Sequence, residues 1–61
     1  MNPLLKLFAR AISVAEEFGS AGHAWLDNPN EETKAYLEEC RADNLEAQKF
    51  FLEELKKVLP D

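Results

Sequence analysis

Cysteine, histidine and tryptophan occur once each in these 61 residues, glycine twice and proline three times. A single thiol, Cys40, leaves no intrachain disulfide, and one Cys with one His is too small a set for a zinc site of the Cys/His type. No metal or other cofactor is therefore expected. Ile12, Val14, Thr33 and Val58 are the only β-branched residues, so no segment reads as a strand. No apolar run approaches the ~20 residues of a membrane span, and the opening stretch MNPLLKLFARAISVAEE takes on charges every few residues, unlike the core of a signal peptide. No membrane association is expected, and the compartment expected is cytoplasmic, where a lone free thiol is at home. Positive charge is scarce too: seven Lys and Arg face twelve Asp and Glu, for a net charge of −5. That balance disfavours nucleic acid, whose phosphate backbone is held by Lys and Arg. A hydrophobic share of 46% is too high for a disordered acidic tail.

What remains is helix. Ala, Leu, Glu and Lys dominate, and apolar residues recur at helical spacing. Asn2 is placed to cap a first helix and Pro3 to occupy its first position, where a missing N–H costs nothing. At roughly 100° per residue, Leu4, Leu7, Phe8, Ala11, Ile12, Val14, Ala15 and Phe18 share one side, with Lys6, Arg10, Ser13 and Glu17 opposite. Glycines at 19 and 22 would normally end a helix, yet the same pitch carries Gly22, Trp25 and Leu26 onto the apolar face. One helix is expected from Pro3 to about Leu26. Small Ala11, Ala15 and Gly22 would admit a close neighbour, and Trp25 would close the end of the core.

The stretch GHAWLDNPNEE, residues 22 to 32, gathers the only His and Trp with a carboxylate, two asparagines and a proline. It reads as a corner. Asn28 is the expected cap of a second helix, Pro29 its first residue, and Glu31 the reciprocal member of a capping box. That helix is expected from about Pro29 to Leu59, with Glu31 and Glu32 suiting its positive end, Lys56 and Lys57 its negative end, and Pro60 closing the chain. Its inner face collects Tyr36, Leu37, Cys40, Ala47, Phe51, Leu55 and Val58, with Leu45, Leu52 and Leu59 at one margin. Glu39, Asp43, Glu46, Lys49, Glu53, Lys56 and Lys57 lie opposite. Glu53 and Lys57 form an i,i+4 pair. Asn44 falls near mid-face with Gln48 beside it.

So short a connection makes the helices antiparallel, an all-α hairpin forming a single domain over residues 1–61. A chain this short buries only about 60% of the surface its unfolded form exposes. With disulfide and metal excluded, association is the remaining source of stability. The apolar arcs are also wider than one partner helix covers, so two hairpins are expected to form a twofold-symmetric four-helix bundle. Its core would draw on Leu4, Phe8, Ala11, Ala15, Phe18, Gly22, Trp25, Leu37, Cys40, Asn44, Ala47, Phe51, Leu55 and Val58. Asn44, needing a partner when buried, would find its own copy or the neighbouring Gln48 across the dimer axis and fix register and oligomer state.

No candidate for catalysis survives this reading. His23 lies at the rim of the apolar arc with no Ser or Cys nucleophile near it in sequence. Cys40 fits the inner face as a small hydrophobe. Paired glutamates at 16–17, 31–32, 38–39 and 53–54 lack the Glu-x-x-His partner of ferritin-like metal sites, and they read as a solvated face. The function expected is that of an acidic, non-enzymatic regulatory or interaction protein: a homodimeric helical bundle that binds another protein, of a kind that suits a phage or mobile-element accessory role. In plan, a dimerising hairpin of this size is similar to the Rop-like plasmid regulators that bind RNA. The resemblance is one of plan, with no residue carried over, and implies an alternative, a nucleic-acid-binding regulator, which would have to use the sparse basic residues Lys6 and Arg10. A purely structural bundle is the third reading.

Overall fold

The computed structural model describes residues 2–59. Two helices, α1 (Pro3–Asp27) and α2 (Glu31–Val58), are joined by three residues and pack against each other as an antiparallel hairpin. Asn2 caps α1, its side-chain oxygen accepting from the Leu4 N–H at 2.9 Å, with Pro3 at the first position. Neither Gly19 nor Gly22 interrupts the helix. Both have negative φ, and the conformational freedom they forgo is the only cost of keeping them.

The corner differs from the expected one. α1 runs one residue further, and the Asn28 N–H closes its last turn on the Ala24 carbonyl at 3.0 Å. Asn28 then leaves helical geometry (φ −147°, ψ 76°), as a residue before proline is driven to do. The cap of α2 is Asn30, not Asn28, and the reciprocal partner is Thr33, not Glu31. Pro29 stands outside the helix, in the connection. Asn30 Oδ1 accepts from the Thr33 N–H at 2.9 Å, and the Asn30 N–H donates to Thr33 Oγ1 at 3.1 Å. The Thr33 hydroxyl in turn donates to the Asn28 carbonyl at 2.8 Å, tying the cap to the end of α1. Starting α2 at Pro29 would have left one residue to reverse the chain and forfeited this network. Pro60 lies outside the described residues, and α2 ends at Val58 with the Leu59 N–H bonded to the Leu55 carbonyl.

Between the helices runs a seam with alternating spacings of three and four residues. α1 contributes Leu4, Leu7, Ala11, Val14, Phe18, Ala21 and Trp25, all buried or half-buried, and α2 contributes Thr33, Leu37, Cys40, Asn44, Ala47 and Phe51. Among the described residues only Val14, Ala21, Cys40, Ala47 and the polar Asn44 are buried. The middle of the seam is thus made of small and medium side chains. Ala21, without any exposed surface, is absent from the expected core, and Leu26, placed by the 100° pitch on the inner face, is 75% exposed. The reason is the period. A seam repeating every seven residues drifts about 20° per repeat from an ideal helix, enough over three repeats to exchange those positions.

The molecule measures 45 × 20 × 14 Å with a radius of gyration of 14.2 Å, against about 10.5 Å for a compact chain of this length.

Candidate interaction surface

The seam settles the first layer of packing and leaves a second apolar set outside it. On α1 this set is Leu5, Phe8, Ile12 and Ala15, and on α2 it is Leu45 and Leu52, continued by Leu59 just past the helix end, each seven residues apart. Phe8, Ile12, Leu45, Leu52 and Leu5 are between 46% and 60% exposed. Phe8 leans on the seam: its ring lies 5.5 Å from that of Phe51, tilted by 44°, a favourable aromatic geometry. The pair also sets the register, with Phe8 level with Phe51. At the other end, a Cβ on Gly22 would meet Leu37 at 3.8 Å.

The two flanks of the hairpin are therefore different in kind. On one, the α1 and α2 rows lie side by side over the half of the hairpin away from the turn. Nearer the turn the same flank holds Gly19, Leu26, Lys34, Glu38 and Arg41, all exposed. The opposite flank carries the Tyr36 hydroxyl donating to the Glu17 carboxylate at 3.5 Å, and an open groove of about 430 Å³ between Pro3, Lys6, Leu7, Phe50, Glu53 and Glu54. The outer side of α2 bears Glu39, Glu46 and Glu53, again seven apart and exposed.

Of the residues expected in the dimer core, Leu4, Ala11, Phe18, Gly22, Trp25, Leu37, Phe51 and Leu55 are half-buried, while Cys40, Asn44 and Ala47 are buried within a single hairpin. Phe8, Ala15 and Val58 are exposed. Asn44 is 8% exposed, and the amide that reaches it is Gln48 of the same helix, Nε2 donating to Oδ1 at 3.5 Å. The Lys57 ammonium contacts Glu54 at 2.8 Å, rather than the expected Glu53, and this contact raises its pKa. Both partners keep much of their exposure, so the pair contributes little stability.

Burial in the seam pushes the Cys40 thiol above its ordinary range, partly offset by the Tyr36 hydroxyl. Tyr36 is raised as well, first because a thiolate at Cys40 would repel a phenolate beside it. Neither group is poised for nucleophilic work at neutral pH, since the reactive thiolate is disfavoured. His23 is exposed and makes no side-chain hydrogen bond among the described residues. Among those residues no group of three His, Cys, Asp or Glu could hold a metal ion. No described helix is long and apolar enough to cross a membrane.

No family model, curated protein or solved structure matches this chain.

Proposed function

We propose that this chain is a non-enzymatic interaction protein that works as a homodimeric four-helix bundle and offers the acidic outer side of α2 to a second protein. One observation carries the reading. Among the described residues no large side chain is fully buried, whereas ten large hydrophobic residues are between 41% and 75% exposed. A folded chain that keeps its large apolar groups outside has its core still to complete, and association completes it. A second copy brings the same apolar flank in matching form.

Once the apolar flank is covered, Glu39, Glu46 and Glu53 remain on the solvent side as a straight acidic row. A partner with a basic face fits that row, through contacts that govern encounter rate and specificity more than raw affinity. A cytoplasm-like compartment belongs to the same proposal and is supported by the unpaired thiol of Cys40.

The test has two arms. Light scattering on purified protein reads the dimer directly. Affinity capture from the source cell, run in parallel with the Glu39→Gln, Glu46→Gln, Glu53→Gln triple variant, reads the partner surface. A captured protein lost with the variant supports the proposal. A nucleic-acid partner, bound with a steep salt dependence through Lys6 and Arg10, would replace it.

A further inference from the structure

We infer that the second copy covers the flank formed by Leu5, Phe8, Ile12, Leu45 and Leu52, with both turns at the same end of the dimer. In that arrangement α1 of one protomer lies antiparallel over α2 of its partner. The inference rests on the homodimer proposed above and names its interface and its orientation.

The exposed area is that of a chain with one face still to cover. A globular chain of 7.0 kDa exposes about 4,000 Å² when folded, but this hairpin exposes 4955 Å². The excess, roughly 900 Å², is close to the ~800 Å² that each partner buries in a standard stable interface. One additional face per protomer is therefore what needs covering, and a second copy supplies it.

The distribution of residues along that face decides the orientation. Its apolar rows are concentrated in the half remote from the turn, and the half near the turn carries Lys34, Glu38 and Arg41 with Leu26 at its end. With the turns at opposite ends, fully overlapped hairpins would lay α2 on the partner's α2 and set Leu52 against Lys34 and Glu38, charges that would lose water without gaining partners. A twofold axis along the length of the hairpin superposes apolar half on apolar half. It also sets Leu5 and Ile12 over the partner's α2 leucine row, two rows that share a seven-residue spacing and so suit one supercoil. The exposed Phe50, on the other flank beside Lys6 and Glu53, stays outside the interface.

The decisive experiment is distance measurement by pulsed electron paramagnetic resonance on the full chain. Cys40→Ala removes the native thiol, and a nitroxide is attached at Glu32→Cys, an exposed position beside the turn. Turns at the same end give an inter-protomer distance of roughly 20 Å, about two helix diameters. Turns at opposite ends give a distance approaching the 45 Å length of the hairpin and would overturn the orientation while leaving the homodimer standing. Absence of any inter-protomer distance, with a monomer mass, would overturn the homodimer as well. In the unlabelled chain, Ile12→Glu weakens association at least about tenfold, because it buries an unpaired charge. Phe50→Glu leaves association unchanged within about twofold. The reverse ranking would move the interface to the groove flank and refute the assignment.

Discussion

Gln48 reaches back one helical turn to Asn44, and their amides meet at 3.5 Å in the middle of the seam. The distance is long for such a bond, and Asn44 is only 8% exposed. The seam thus holds an amide with a weak partner at a site shaped for an apolar side chain. Leucine is close to asparagine in shape, so Asn44→Leu removes a desolvation cost without a large change of volume. We expect a gain of about 1 kcal/mol, read as a rise in melting temperature of ~5 °C. Native mass spectrometry should show one species, because Asn44 faces α1 of its own chain. Several oligomers would place Asn44 between copies instead.

The corner makes a sharper distinction among three residues. Asn30→Ala and Thr33→Val each remove part of the reciprocal cap, and each should cost about 1 kcal/mol in urea unfolding. Asn28 contributes its carbonyl and amide, which any residue supplies, and its side chain makes no hydrogen bond among the described residues. Asn28→Ala should then fall within about 0.5 kcal/mol of the parent. A cost at Asn28 equal to that at Asn30 would contradict the observed cap.

How far the fold was legible in the sequence follows from which signals were local. Asn2 with Pro3 marked the start of α1 without ambiguity, and the unbroken apolar period across Gly19 and Gly22 identified one helix where composition alone would have given two. The second cap was misplaced because Asn28-Pro29 and Asn30 through Thr33 are both acceptable starts. The choice between them depends on how many residues the reversal needs, and that is a property of two helices together. Ala21 was missed and Leu26 misassigned for a related reason, since a seven-residue seam arises only when a partner helix imposes it. Repeats at Leu7, Val14 and Ala21 would have revealed it. The second apolar flank was visible only as an arc too wide for one helix, and its concentration in the half away from the turn became clear once the two helices were in register.

Alkaline pH offers an independent probe of the seam. Cys40 and Tyr36 are both raised above their ordinary values, so the folded state favours their neutral forms. The stability this gives is complete below the ordinary values and is lost as pH rises through the raised ones. Melting temperature followed by circular dichroism should therefore fall from near pH 9.0 upward, the ordinary value for the thiol. Cys40→Ala should flatten that fall. A variant that loses stability with pH as steeply as the parent would show that the thiol is not protected by the seam.

His23 is predicted to be dispensable. It is exposed and unbonded among the described residues, so His23→Ala should alter stability by less than about 0.5 kcal/mol and leave capture of a protein partner intact. Complete loss of capture would return the corner to consideration as a binding site.

If the exposed apolar flank is a dimer interface, the molar mass in solution shows it most directly. Size exclusion with light scattering at micromolar concentration should give twice the 7.0 kDa chain mass. The melting temperature should rise with protein concentration, because folding and association are coupled. A well-folded species at the single-chain mass, with a melting temperature independent of concentration, would contradict the account.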